Sequence, residues 1–192
     1  VTITVSDGTV SATQSVIINV TDGPADNPVD GIASVSSANY HTLFLKKDGS
    51  LWGVGANGKY RLGNGTTTSR QYPSPSLITS GITRISPGID SGYVIKDDGS
   101  LWGFGDNTYG QLGDGTKIEQ QTPIRIDESA VRRVDAARYH CLYVKTDGSL
   151  WAMGENDSGQ LGDGTTSERN ATIQILPSGV SEVSTNWYHT LL

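Results

Sequence analysis

The chain has 192 residues, a net charge of −6 and a pI near 4.9. An acidic surface repels phosphate backbones, which sets aside general nucleic-acid binding. The single cysteine, Cys141, allows no internal disulfide, and no apolar run is long enough to insert into a membrane. The one basic grouping, Arg125, Arg132, Arg133 and Arg138, is interleaved with Asp127, Glu128 and Asp135 and reads as solvated mixed charge.

Residues 1–22 open the chain with two β-rich runs. Val1, Ile3 and Val5 alternate with Thr2 and Thr4, and Val16, Ile17, Ile18 and Val20 form the second run. Ser6-Asp7-Gly8 between them carries turn chemistry, so a hairpin is predicted. Residues 23–31, with Pro24 and Pro28, read as a linker.

From residue 32 the chain repeats itself. Asp-Gly-Ser-Leu-Trp occurs at Asp48–Trp52, Asp98–Trp102 and Asp147–Trp151, in steps of 50 and 49 residues. Leu-Gly-Asn/Asp-Gly-Thr keeps the same phase at Leu62, Leu112 and Leu161. A copied unit of this size cannot bury its own apolar face, so copies must stack. The predicted units are 32–81, 82–130 and 131–179, with a partial fourth at 180–192.

Each unit begins with an apolar pair: Ile32/Val35, Ile82/Ile85, Val131/Val134, Val180/Val183. Strand alternation places the two members on opposite faces. A second strand follows at Leu43–Lys46, Tyr93–Lys96 and Leu142–Lys145. Asp-Gly then supplies positive φ for a two-residue hairpin loop. The third strand starts at Leu51, Leu101 and Leu150, and Leu77-Ile78, Ile124–Ile126 and Ile173–Ile175 mark a fourth. Residues 128–144 lack Gly and Pro and tempt a helix reading, but the matching copy holds Pro87, Gly88 and Gly92, so strands are predicted in both. The fold class is therefore all-β: a partial β-propeller of three complete four-stranded blades plus the start of a fourth, preceded by a β-hairpin.

The repeat motifs resemble the regulator-of-chromosome-condensation repeat family. They are His41-Thr42-Leu43-Phe44-Leu45, Asp48-Gly49 through Gly55-Ala56-Asn57, and Leu62-Gly63-Asn64-Gly65, with Gly110-Gln111-Leu112-Gly113 and Gly159-Gln160-Leu161-Gly162 in the later copies. Ser91 departs from the pattern where His is expected, and Tyr60-Arg61 where Gly-Gln is expected. The family propeller usually closes with seven blades, so the resemblance implies a piece of a larger protein whose remaining blades complete the ring. Residues 1–22 resemble the last strands of bacterial cadherin-like or immunoglobulin-like surface modules, which implies an extracellular or cell-surface location.

Enzymatic chemistry is not expected. His41, His140 and His189 share one repeat position and would be spread around a ring, so each is expected to bond backbone rather than to catalyse or ligate. Asp106, Asn107 and Asp114, like Glu155, Asn156, Asp157 and Asp163, hold calcium-type oxygens but no EF-hand spacing, and a turn-forming role is preferred. No cofactor or metal is predicted. Trp52, Trp102 and Trp151 are expected between blades rather than as a carbohydrate ladder.

The loop before each repeat histidine lies on one rim and carries interface-type residues. The predicted partner-binding set is Asn39, Tyr40, Asp90, Arg138, Tyr139, Trp187 and Tyr188, with packing of each Tyr on a neighbouring blade as the other reading. The expected role is a non-enzymatic, protein-binding module of a secreted or surface bacterial protein. The alternatives are guanine-nucleotide exchange on a small GTPase, which the family resemblance implies, or inhibition of an enzyme of the beta-lactamase type.

Overall fold

The computed structural model describes residues 2–4, 15–17, 31–70, 76–186 and 190–191. The chain divides into two compact units, 1–30 and 31–192. In the first, β1 (Thr2–Thr4) pairs antiparallel with β2 (Ser15–Ile17), in register Thr2 to Ile17. The turn predicted at Ser6-Asp7-Gly8 and the linker at 23–30 lie outside the described residues.

The second unit holds three four-stranded antiparallel sheets. The first is β3 (Ile32–Ser37), β4 (His41–Lys46), β5 (Leu51–Gly55) and β6 (Ser76–Thr79). The second is β7 (Ile82–Pro87), β8 (Ser91–Lys96), β9 (Leu101–Gly105) and β10 (Gln120–Asp127). The third is β11 (Val131–Ala136), β12 (His140–Lys145), β13 (Leu150–Gly154) and β14 (Arg169–Leu176). A two-stranded sheet, β15 (Ser184–Thr185) with β16 (Thr190–Leu191), begins a further unit. Each four-stranded sheet is a propeller blade. Residues 128–144 hold β11 and most of β12 with a short link between them, and no helix, as the repeat argument requires.

The structure corrects two local expectations. The apolar pairs do not face opposite ways. A register shift between Ile82 and Arg84, matched at Ile32/Ser34 and Val131/Arg133, inserts one extra residue into each first strand. The bulge restores both members to one side, so Ile82 and Ile85 pack into a single cluster. The Asp-Gly turn is also not a two-residue loop. Lys46 N–H donates to Ser50 O (2.9 Å) and Gly49 N–H to Lys46 O (3.0 Å), and only the glycine is left-handed, at φ 80°. This is a three-residue loop with a glycine bulge.

The rest of the Asp-Gly-Ser-Leu-Trp motif follows from that turn. Asp48 Oδ1 accepts from Ser50 N–H (2.9 Å), and Ser50 Oγ accepts from the Trp52 indole (2.9 Å). The same bonds recur around Asp98, Ser100 and Trp102 and around Asp147, Ser149 and Trp151. The tryptophans are only partly buried. A lysine ammonium covers each ring, 5.1 Å from the Trp52 centroid, 4.0 Å from Trp102 and 5.0 Å from Trp151. Their exposed area is therefore occupied by the chain's own cations, not offered as a sugar platform.

The blades meet face to face. Phe104 of the second blade is fully buried and lies against Gly63 of the first; a Cβ on Gly63 would stand 2.7 Å from its ring. Met153 of the third blade stands in the same way against Gly113 of the second, at 2.7 Å. The partner across the strand pair shrinks to match: Gly92 sits opposite Phe104, Cys141 opposite Met153 and Thr42 opposite Val54. Cys141 is thus a fully buried small side chain in the seam, with a free thiol. Backbone bonds seal each seam at the turn end: Ile82 N–H to Gly49 O, Val131 N–H to Gly99 O and Val180 N–H to Gly148 O, each 3.0 Å.

Candidate partner-binding rim

The opposite rim is built by three tight links: 38–40, 88–90 and 137–139. Each is closed by one bond across its base, Ala38 N–H to His41 O (2.9 Å), Gly88 N–H to Ser91 O (2.9 Å) and Ala137 N–H to His140 O (3.0 Å). The third strand ends directly behind the link in a left-handed glycine, Gly55, Gly105 or Gly154. The next N–H donates back to the link: Ala56 to Tyr40 O (2.8 Å), Asp106 to Asp90 O (2.9 Å) and Glu155 to Tyr139 O (2.9 Å).

A buried asparagine then fixes the glycine-rich loop. Asn107 Oδ1 accepts from Leu112 N–H (2.9 Å), while its amide donates to Asp114 Oδ1 (3.0 Å) and Thr116 O (3.2 Å). Asn57 and Asn156 make the equivalent bonds. Asp114 Oδ1 also accepts from Thr116 N–H and Oγ1, and Oδ2 from Gln120. These oxygens serve the turn, the role the sequence reading preferred. Among the described residues no three His, Cys, Asp or Glu side chains converge to hold a metal.

The predicted rim residues fall into two rows. The middle position of each link turns to the mouth of the hub. There Asn39 and Arg138 border one cleft of about 180 Å³ together with Ile89 and Asn186. The last position turns onto the loop of the preceding blade. Asp90 accepts from Arg61 Nε at 2.5 Å, and the Tyr139 ring lies 4.5 Å from the Tyr109 ring. Tyr139 thus packs on the loop of the preceding blade. Tyr40 is different: it is 56% exposed, and the Arg61 guanidinium stands 5.2 Å from its ring. Trp187 and Tyr188, like His189, lie outside the described residues.

Sequence reasoning noted Tyr60-Arg61 only as a departure from the repeat, yet this departure shapes the site. Tyr60 is held at φ 53° where Gly110 and Gly159 stand at 71° and 73°, a strained conformation for a side chain that bulky. Arg61 replaces the glutamines that elsewhere bond Asp106 and Glu155, and Ala56 replaces those acids. Arg61 instead reaches across the seam to Asp90. The hub explains why a substitute is needed there. Ser86 Oγ accepts from Ala136 N–H (3.0 Å) and Asp135 Oδ2 from Thr185 N–H, but the aligned position of the second blade is Pro87, which has no N–H. Lys59, half exposed, completes the patch 3.5 Å from Asp106.

His41 sits under this patch, 3% exposed. Neither ring nitrogen has a hydrogen-bond partner, contrary to the expectation of a backbone bond. Burial lowers its pKa from 6.5 to about 4, Arg61 adds to the effect and Asp90 opposes it. The ring is therefore neutral at pH 7. The unfolded chain takes up its proton near pH 6.5 while the folded chain resists until about pH 4, so stability falls as pH drops through that window and the full loss lies below it. The loss attributable to His41 is on the order of 3 kcal/mol. Urea midpoints measured at pH 7 and pH 4.5 will differ less in His41→Phe than in the unaltered chain.

Comparison with known proteins agrees with this architecture. The family model described as the regulator of chromosome condensation (RCC1) repeat matches residues 48–90, 98–144 and 147–192, and a second model of the same description matches 32–61, 82–111 and 131–160. The chain is 42% identical over 59 residues to the RCC1 domain-containing protein RUG3, mitochondrial, of Arabidopsis thaliana, a stretch covering 30% of the chain and 13% of that protein. Among solved structures it resembles yeast RCC1 (Prp20) bound to Kap60, with a TM-score of 0.72 at 19% identity over 83% of the chain and 40% of the yeast chain. A second Saccharomyces cerevisiae structure, of Prp20p, whose report concerns binding to Gsp1p and histones, gives 0.72 at 18% identity, covering 83% of this chain and 42% of that one. Human WBSCR16 follows with a TM-score of 0.52 at 18% identity, covering 85% of the chain and 58% of its own. The chain thus spans less than two thirds of each of these proteins.

Proposed function

Because the chain belongs to the RCC1 repeat family, we propose that it acts as a non-enzymatic, protein-binding propeller module that engages its partner through the rim links. The observation that carries this reading is the patch at the first seam. An exposed tyrosine backed by a guanidinium, beside a residue held in a strained conformation, is costly to maintain for folding alone. The proposed set also takes in Asn39, Asp90, Arg138 and Tyr139, together with Trp187 and Tyr188 by their repeat position. The likeness of residues 1–22 to cadherin-like or immunoglobulin-like modules supports a secreted or surface-attached bacterial setting, with further blades supplied by the parent protein.

The test is affinity capture with the parent protein, followed by titration of whatever is retained. Tyr40→Ala combined with Tyr139→Ala and Tyr188→Ala should weaken binding by about 30-fold or more, the scale of an interface anchor. Lys47→Ala, on the opposite rim, should leave it unchanged. Equal loss in both variants, or none in either, moves the site elsewhere.

Nucleotide exchange is the second reading, favoured by the fold shared with the yeast protein whose report concerns Gsp1p. A shared fold hosts many functions, so exchange assays on the parent protein decide between the two.

A further inference from the structure

The three glycine-rich loops share one receptor for a carboxylate. In the second copy Asp114 Oδ1 accepts from Asn107 Nδ2 (3.0 Å), Thr116 N–H (2.8 Å) and Thr116 Oγ1 (2.8 Å), and Oδ2 accepts from Gln120 Nε2 (3.0 Å). In the third, Asp163 Oδ1 takes the same three bonds, and Arg169 Nε donates to Oδ2 at 2.8 Å. The first copy keeps the receptor but holds an amide. Asn64 Oδ1 accepts from Asn57 Nδ2 (3.0 Å), Thr66 N–H (3.1 Å) and Thr66 Oγ1 (2.9 Å), and Asn64 Nδ2 donates to Ser76 Oγ (3.0 Å). Arg70 stands where Arg169 stands: it pairs with Gly55 as Arg169 pairs with Gly154. A guanidinium has only donors, as does an amide nitrogen, so Arg70 cannot bond Asn64 Nδ2. The next residue after Asn64 is Gly65, exposed and with no side chain to hinder its nitrogen.

We propose that Asn64-Gly65 is a deamidation site whose aspartate product completes the carboxylate position of the first loop. The Gly65 nitrogen attacks Asn64 Cγ and gives up its proton to water. The Cγ–Nδ2 bond breaks, the nitrogen takes up a proton and leaves as ammonia, and a succinimide remains. Water then opens the ring at Cγ and returns the peptide bond to Gly65, so one amide and one water become one acid and one ammonia. The surroundings favour this on three counts. Negative charge gathers on Oδ1 as the nitrogen attacks, and the three donors already aimed at that oxygen stabilise it. The Gly65 N–H is tied to Gln121 O (2.9 Å), but both residues are exposed at the outer edge, where local opening frees the nitrogen. The product gains partners: Oδ2 of a carboxylate at position 64 accepts from the Ser76 hydroxyl, whose proton rotates to suit, and from Arg70, while Oδ1 keeps its three bonds. Ring opening at the backbone carbonyl would instead leave isoaspartate, which adds a carbon to the main chain and draws the carboxylate off those donors. Asn57-Gly58 is the internal control. Asn57 is fully buried, and its side chain holds Leu62 N–H, Thr66 O and Thr68 O. The inference is separate from the rim reading, because it needs no partner.

The experiment holds the folded chain in mildly alkaline buffer and follows it by tryptic digestion and mass spectrometry, with aspartyl and isoaspartyl forms separated by chromatography. Cleavage at Arg61 and Arg70 isolates residues 62–70, and cleavage at Lys47 and Lys59 isolates residues 48–59. Residues 62–70 should convert more than about tenfold faster than 48–59, with a larger share of aspartate than the free peptide 62–70 yields. Asn64→Asp makes the product directly and should melt about 2–4 °C above the unaltered chain, and Arg70→Ala should remove about half of that gain or more. Residues 62–70 keeping the amide while the free peptide converts would overturn the proposal. So would an aspartate share no larger than the free peptide's, or an Asn64→Asp chain that melts no higher than the unaltered one.

Discussion

Gly154→Ala is expected to cost more than about 4 kcal/mol, the range reached only by severe steric or burial defects. Gly154 has φ 106°, and a Cβ built on it would lie 2.3 Å from Tyr139 O and 2.7 Å from His140 Cα. Both contacts are backbone, so no rotamer change relieves them. The third strand would have to withdraw from the 137–139 link, breaking the Glu155 N–H bond to Tyr139 O. Thermal melts read the loss directly. Any population that still folds should have a displaced link and a weakened Tyr109–Tyr139 contact, visible as altered tyrosine near-ultraviolet dichroism. A variant that melts within a few degrees of the unaltered chain contradicts this account of the rim.

Phe104→Ala tests the seam in the same way. The ring is fully buried among Leu43, Leu45, Leu51, Ile82 and Val94, residues of both blades, and closes on Gly63 and Gly92. Truncation leaves a cavity between two sheets that backbone pairing holds apart, so the loss should be about 3–5 kcal/mol. For a chain of this size that is a fall of roughly 6–20 °C in Tm. Phe104→Met joined to Gly92→Cys transplants the third blade's pair and should recover most of the loss; either change alone should not. Gly92→Cys alone should overpack, since a Cβ at residue 92 already stands 2.4 Å from the ring.

Much of this architecture was legible because the chain is written three times. The Asp-Gly-Ser-Leu-Trp spacing gave the blades, and Pro87, Gly88 and Gly92 excluded a helix at 128–144 through their aligned copy. The bulge in each first strand was not legible, since one extra residue leaves an apolar spacing that fits either face. The turn was mistaken because Asp-Gly serves both two- and three-residue loops, and backbone bonding to Ser50, not residue type, separates them. At the rim, sequence found the links but not their two rows, which arise from how each blade overlaps the one before. Tyr109 carried no signal of its own. Lys59, Tyr60 and Arg61 did carry one: the only copy lacking Gly-Gln also lacks the acid at Ala56 and faces Pro87 across the seam. His41 looked like an ordinary bonded core histidine because burial without a partner is a property of the packed surroundings.

Residue-resolved amide exchange at the seams is the most direct test of radially stacked blades. The N–H groups of Ile82, Val131 and Val180 each bond the turn of the preceding blade, and Gly65 and Gly115 bond Gln121 and Asn170 across the outer edge. Stacked blades predict that the seam amides of Ile82 and Val131 exchange as slowly as the central strand amides of Tyr93 and Tyr143. Exchange of those two at the rate of the exposed turn amides, with the strands still protected, would mean that the sheets form singly and do not stack.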